Sequence, residues 1–157
     1  MDIDFKKVGK IILAILIPLL VGGISALITM NQMELFETVA KPPLAPPRWL
    51  FPVAWTILYI LMGIASYLLY IADTQEGREA LVLYGIQLFF NFFWSIIFFN
   101  LEAYWFALIW LFIMWIIILL LLIKSKKVDE RAFWLLLTYF IWTTFAFYLN
   151  FGIAILN

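Results

Sequence analysis

The chain has 157 residues, of which 67% are hydrophobic and 13% are charged, and ten basic and ten acidic residues give a formal net charge of zero. With a mean hydropathy of +1.07, this composition excludes a soluble domain, because one core of that size cannot bury so many apolar side chains. The zero net charge also gives no support for a nucleic-acid partner.

The apolar residues fall into five blocks, each close to the ~20 residues that a helix needs to cross a hydrocarbon core. Helices are predicted in preference to a barrel, because the blocks do not alternate apolar and polar residues. The sequence therefore predicts an all-α integral membrane protein with one domain over residues 1–157. Its five transmembrane helices are predicted at about 8–30, 51–72, 80–99, 103–123 and 132–156.

In the first block, Lys6, Lys7 and Lys10 precede the apolar run Ile11-Ile-Leu-Ala-Ile-Leu16, as basic residues precede the apolar core of a signal peptide. Its apolar stretch continues through Leu27 and Ile28, which makes it longer than the ~7–15 residues of a signal-peptide core. We therefore expect this block to remain in the protein as its first transmembrane helix.

Between the first and second blocks, residues 41–52 contain five of the six prolines. Each proline fixes its own φ and pushes the preceding residue toward an extended conformation. The sequence therefore predicts a stiff proline-rich loop at one surface of the membrane, which serves as a lid or an anchor.

Uncharged polar and aromatic residues recur at three- and four-residue spacing on the second, third and fifth predicted helices, and such faces are expected to point inward. They are Trp55, Tyr59, Met62, Gly63, Ser66 and Tyr70; Tyr84, Gln87, Asn91, Trp94 and Ser95; and Tyr139, Trp142, Thr143, Ala146 and Asn150. Two interpretations apply, namely interhelical hydrogen bonds of about 0.6–2 kcal/mol each or the orienting groups of an apolar ligand pocket. The first is favoured for Asn150 and the second for Trp55, Asn91 and Trp142 together.

The fourth predicted helix lacks such a face. Between Ile109 and Ile123 its only polar side-chain groups are two indole N–H groups. We therefore expect this helix to face lipid.

The basic residues predict the orientation in the membrane. If the helices alternate in direction, eight of the ten basic residues lie on the side that holds the N-terminus and the second and fourth loops. The positive-inside rule then places the N-terminus in the cytoplasm, with the C-terminus and the proline-rich loop outside.

The sequence contains no histidine and no cysteine, so zinc sites, histidine-ligated haem, thiol nucleophiles and Ser-His-Asp hydrolysis lack their required groups. No charged residue lies near the middle of a predicted span, which disfavours a proton-driven pump. No metal site and no required cofactor are predicted.

Four motifs then follow one another along the chain: Lys41-Pro42 with Pro46-Pro47, Phe51-Pro-Val-Ala-Trp-Thr-Ile-Leu-Tyr-Ile-Leu-Met-Gly63, Gln87-x-x-x-Asn91-x-x-Trp94, and Trp142-x-x-Phe-Ala146-x-x-Leu-Asn150. In this order they resemble the translocator protein or tryptophan-rich sensory protein family, also called the peripheral benzodiazepine receptor family. The resemblance covers nearly the whole chain. It implies a five-helix bundle, a homodimer, and a pocket for porphyrins and other hydrophobic ligands beneath the first loop.

Carried over position by position, the resemblance implies a pocket lined by residues of the loop and of the second, third and fifth helices. These residues are Phe36, Leu44, Trp55, Tyr59, Gln87, Asn91, Trp94, Ser95, Trp142, Phe145 and Ala146. The chain departs from the family at Leu35, Phe36 and Leu44, where a Trp-Tyr pair and a tryptophan are usual. The first loop is therefore expected to be the part least like its relatives. The family's sterol motif is not predicted, because no basic residue follows Leu149-Asn-Phe151.

The resemblance implies a membrane receptor or sensor that binds protoporphyrin IX and is linked to tetrapyrrole and stress regulation. Two alternatives stay open. One is a light-dependent porphyrin-degrading enzyme, in which Trp55 and Trp142 would be catalytic. The other is a transporter of porphyrins or related amphiphiles. Without histidine or cysteine, stacking and apolar burial would hold the porphyrin, which suits its metal-free form. The lack of a mitochondrial-type presequence and of the animal motif favours a bacterial cytoplasmic membrane.

Overall fold

The computed structural model describes residues 5–32 and 34–157, except for the side chain of Leu35, so the departure expected at that side chain lies outside the described part. In these ranges the chain is helical, with short connections. The helices are α1 (Phe5–Thr29, followed by a 3₁₀ turn Met30–Gln32), α2 (Leu35–Thr38), α3 (Leu50–Ile71), α4 (Gln75–Ser95, followed by a π-helical turn Ile96–Asn100), α5 (Tyr104–Val128) and α6 (Glu130–Leu156).

Five of these helices are long and apolar enough to cross a membrane, so the predicted all-α five-helix class is confirmed. Helix α4 begins before its predicted span, because the Thr74 side chain accepts a hydrogen bond from the Gly77 amide at 3.0 Å and caps the helix there. Helix α5 continues past its predicted span, and Lys126 and Lys127 lie in its last turn, where cations are favourable.

The five long helices close into a ring in the order α1, α3, α6, α5, α4, and back to α1. The interior contains a continuous apolar core with fully buried side chains from α3, α5 and α6, among them Met62, Met114, Ile118 and Leu136. Because lipid is as apolar as these side chains, the association of the helices depends on close packing and on hydrogen bonds between them.

Helix α5 has two different faces. Its outer face, which includes Ile109 and Leu120, is exposed as expected for a lipid-facing helix. Its inner face is buried against α4 and α6. The two indole N–H groups also have partners, since Trp110 donates to the Phe90 carbonyl and Trp115 to the Thr144 hydroxyl, both at 2.8 Å. The prediction that this helix faces lipid therefore describes only one side of it.

The segment between α1 and α3, residues 34–49, is called the lid here. It is attached to the end of α6, because Asn157 accepts from the Ala40 amide at 3.1 Å and donates to the Ala40 carbonyl at 3.0 Å. Tyr148 also donates to the Pro43 carbonyl at 2.7 Å. Pro42 packs so closely on Gly152 that a Cβ added to this glycine would lie 2.5 Å from the proline ring. The lid therefore lies across the end of the bundle where α6 ends.

Asp129 caps the start of α6 at the opposite end of the bundle, and its removal gives a first testable prediction. Its side chain accepts from the Arg131 and Ala132 amides, and its hydrogen bond with the Arg131 side chain holds the pKa of this carboxyl below its usual value. Asp129→Ala is expected to cost about 1 kcal/mol at pH 7. Because the folded-state pKa is lowered, this contribution is present above the unfolded pKa and is lost as the pH falls through the folded one.

The measurement is thermal unfolding in detergent at pH 7 and pH 3. The difference between the wild type and Asp129→Ala should shrink at the lower pH. Asp129→Asn is the matched control, since asparagine caps equally well but does not titrate. A wild-type advantage of equal size at both pH values would contradict the role of the ionised carboxylate.

Candidate ligand cavity

A cavity of about 630 Å³ lies beneath the lid, between α1, α3, α4 and α6. Its wall is mainly apolar and aromatic, and α5 contributes no residue to it. Seven of the predicted site residues line this cavity: Phe36, Trp55, Tyr59, Trp94, Ser95, Trp142 and Ala146. Four others, Leu44, Gln87, Asn91 and Phe145, do not.

The aromatic rings of the wall contact one another from the lid inward. Phe36 packs edge-on against Phe51 with ring centroids 4.9 Å apart, and Phe51 packs against Trp142 at 6.2 Å. Trp142 and Trp55 lie 6.5 Å apart with their rings nearly perpendicular, and Trp55 stacks on Tyr59 at 5.4 Å. Such edge and stacked contacts are favourable for aromatic pairs and restrict the movement of each ring. The cavity therefore presents two differently oriented indole surfaces to a ligand.

Helical spacing and one glycine position Trp55 and Tyr59. The two residues are one turn apart on α3 and therefore project from the same face. The Tyr59 ring lies directly on Gly22 of α1, where an added Cβ would be 2.0 Å from a ring carbon. Only glycine at position 22 leaves room for this ring, so α1 helps to fix the cavity wall.

Gln87 and Asn91, which are predicted as ligand-binding residues, do not line the cavity but lie behind it. Asn91 accepts from the Tyr59 hydroxyl at 2.7 Å and its amide donates to the Tyr139 hydroxyl at 3.1 Å. Tyr139 in turn donates to Gln87 Oε1 at 2.8 Å. All four side chains are buried. The amides therefore face the centre of the bundle, where Asn91 holds Tyr59 in place from behind the cavity and Gln87 holds Tyr139.

Leu44 and Phe145 are the other two predicted residues outside the cavity. Leu44 lies in the turn between two pairs of prolines, where its backbone is left-handed with a φ of 67°. Its side chain is 84% exposed and points away from the bundle. Phe145 lies beside Trp142, with ring centroids 5.8 Å apart. It supports the indole that lines the cavity and does not reach the cavity itself.

Asn150 makes interhelical hydrogen bonds, as the first of the two interpretations predicts, and it also lines the cavity. Its Oδ1 accepts from the Trp94 indole at 3.1 Å, and its Nδ2 donates to the Tyr104 carbonyl at 2.9 Å. It thus joins α6 to α4 and to the start of α5. Because both of its polar atoms have partners, Asn150 orients Trp94 in the wall.

Sequence reasoning missed the part of the wall that comes from α1 and, in the lid, predicted Phe36 but not the charged residues. Gly22, Ser25 and Thr29 line the cavity, and both hydroxyl-bearing side chains are buried. Their spacing of three and four residues places them on one helix face, and this signal is visible in the sequence. Glu37 and Arg48 of the lid also line the cavity.

Fold and cavity together define the class: a five-helix membrane protein with an aromatic cavity covered by a proline-rich lid. The family model described as "TspO/MBR family" matches residues 14–156, and the chain therefore belongs to this family. It is an integral membrane protein.

Three relatives illustrate the similarity. The tryptophan-rich protein TspO of Chlorobaculum tepidum is 37% identical over 126 residues, which cover 78% of each chain. The protein of the same name from Archaeoglobus fulgidus is 34% identical over 149 residues, 94% of this chain and 97% of its own length. The tryptophan-rich sensory protein of Cereibacter sphaeroides is 36% identical over 129 residues, 79% of this chain and 77% of its own. The predicted family is thus confirmed.

Proposed function

We propose that this protein is a membrane receptor or sensor that binds a porphyrin, with protoporphyrin IX as the test ligand, in the cavity beneath the lid. The observation that carries the proposal is the pair of indoles, Trp55 and Trp142, in the wall of one cavity of about 630 Å³. This volume lies in the range of about 300–1,000 Å³ that is usual for small-molecule sites. The relative from Cereibacter sphaeroides is named a tryptophan-rich sensory protein, which favours sensing as the role of such binding.

The character of the wall supports a flat apolar ligand. Aromatic rings from α3, α4 and α6 can stack on a macrocycle, and the small residues Gly22 and Ala146 leave room beside them. The chain has no histidine or cysteine to serve as an axial ligand of a metalloporphyrin. The metal-free macrocycle therefore fits this cavity better than haem.

The substitution that tests the proposal removes both indoles. In the double variant Trp55→Phe, Trp142→Phe, the affinity for protoporphyrin IX is expected to fall about tenfold, because two large stacking surfaces become smaller while the wall stays apolar. Titration of the porphyrin absorption band in detergent micelles measures this affinity without relying on tryptophan fluorescence.

The matched control is the double variant Trp105→Phe, Trp134→Phe. Both indoles are 57% exposed and neither lines the cavity. This variant should bind like the wild type. Equal affinities of all three proteins would show that the porphyrin does not bind in this cavity.

Light-dependent porphyrin degradation is the second candidate function. It is favoured by the distance of 6.5 Å between the two indole rings in a single cavity, since a bound macrocycle would contact one or both of these oxidisable side chains. Under illumination in air, the protein should then convert the porphyrin to a product that differs from the products of free bleaching. Identical product spectra with and without protein would exclude this activity.

The orientation in the membrane is also a proposal, with the lid and the C-terminus outside. It is supported by the attachment of the lid to Asn157, which places the lid and the C-terminus at one end of the bundle. The charge distribution favours the cytoplasm for the opposite end. Reporter fusions to the two termini test this, and an active cytoplasmic reporter on the C-terminus would contradict it.

A further inference from the structure

Two charged residues, Glu37 and Arg48, line the otherwise uncharged cavity; no other charged side chain in the described part of the chain does so. Arg48 Nη1 lies 3.5 Å from Glu37 Oε1, and the two side chains are 38% and 62% exposed, respectively. Both belong to the lid, so they mark the mouth of the cavity. A ligand that fills the cavity would bring its edge to this ion pair.

The ion pair is too weak to keep Arg48 from another partner. Exposed pairs of this kind contribute about 0–1 kcal/mol. A guanidinium also has five N–H donors and binds carboxylates in a two-pronged geometry, whereas the contact with Glu37 involves Nη1. A second carboxylate can therefore bind Arg48 beside Glu37 or in its place.

Other contacts position the short helix α2, which carries Glu37. Lys41 Nζ donates to the Phe36 carbonyl at 2.5 Å and to the Glu37 carbonyl at 3.2 Å. The Phe36 ring also packs against Phe51. Release of the Glu37 carboxylate from Arg48 therefore leaves the lid attached to the cavity.

We propose that Arg48 binds a carboxylate of the ligand and that Glu37 is the competing anion that occupies Arg48 while the cavity is empty. This inference rests on the proposed porphyrin binding and specifies the ligand class as a flat apolar body with a carboxylate at one edge. The indoles of Trp55 and Trp142 hold the body, and Arg48 distinguishes the free acid from its neutral ester.

The test compares protoporphyrin IX, which has two carboxylates, with its dimethyl ester, which has none, in detergent micelles. Arg48→Gln is expected to weaken binding of the diacid about tenfold, the order of one charge-assisted hydrogen-bonded pair at a half-exposed site. It should leave binding of the diester unchanged. Glu37→Gln removes the competitor and should tighten binding of the diacid about threefold, again with no effect on the diester.

Arg78→Gln is the matched control, because Arg78 is also paired with a carboxylate, that of Asp73, but lies outside the cavity lining. Thermal unfolding of each variant shows that it has folded. Raising the salt concentration should weaken binding of the diacid alone.

The outcomes are separable. If Arg48→Gln weakens the diacid selectively while Arg78→Gln does not, the proposal is supported. If Arg48→Gln changes neither affinity, or weakens acid and ester equally, carboxylate recognition by Arg48 is overturned while porphyrin binding stands. If the wild type binds neither porphyrin, the proposed function is itself overturned, and this inference with it.

Discussion

Gly63→Ala is expected to destabilise the bundle by about 1–3 kcal/mol, the usual cost of overpacking a close contact. A Cβ at this position would lie 2.5 Å from Ile15 Cα and 2.7 Å from the Ala14 carbonyl oxygen. Both are backbone atoms of α1, so no side-chain rotation can relieve the clash and the two helices must move apart. The free energy of unfolding, measured by titration with a denaturing detergent, gives the effect.

The displacement should also weaken ligand binding, because α1 supplies Gly22, Ser25 and Thr29 to the cavity wall. Gly85→Ala is the matched control, since no heavy atom lies within 4 Å of an added Cβ there. It should be neutral or slightly stabilising, as alanine is the better helix former. Equal stabilities of Gly63→Ala and Gly85→Ala would contradict the close approach of α1 and α3.

Tyr139→Phe is expected to cost about 1–3 kcal/mol, because it leaves buried polar groups without their partner. The Tyr139 hydroxyl donates to Gln87 and accepts from Asn91, and the ring is completely buried. Since Asn91 also holds the Tyr59 hydroxyl, the porphyrin affinity should fall as well when the network is disturbed. Unfolding in detergent and porphyrin titration measure the two effects.

Tyr84→Phe also removes a buried tyrosine hydroxyl, but we expect it to have the opposite effect on stability. The Tyr84 hydroxyl is buried and has no hydrogen-bond partner among the described residues. Its removal is therefore expected to be neutral or stabilising, because the folded state no longer buries an unpaired hydroxyl. If Tyr84→Phe were as costly as Tyr139→Phe, burial of a tyrosine hydroxyl as such, and not the network, would account for both.

The cavity was predictable where one helix alone decides which way a side chain faces. Trp55 and Tyr59 share a face of α3, and Trp142 and Ala146 share a face of α6, by helical spacing. All four line the cavity. Asn91 follows the same spacing on α4 but faces the centre of the bundle, because Tyr139 of another helix provides its partner. The direction in which Asn91 faces thus depends on a residue of another helix, which the spacing along α4 does not show.

The lid was the least predictable part. The prolines predict a stiff segment, but Leu44 lies in a turn with a left-handed backbone, φ 67°, and its side chain is exposed. The family resemblance predicts a cavity residue at position 44, but the backbone turn places this side chain outside the cavity. The pairing of Glu37 with Arg48 was also invisible in the sequence, since α2 and the proline-rich loop must first fold onto the same end of the bundle.

By itself, the sequence determined the class of this protein and the number of its membrane helices. Both follow from the length of each apolar segment and from the need of its backbone for hydrogen bonds, which a helix makes within the segment itself. The tertiary structure decided the cavity. Which residues line it depends on contacts such as that of Tyr59 with Gly22 and on the attachment of the lid to Asn157. These contacts join residues far apart in the chain, so only the packed bundle defines them.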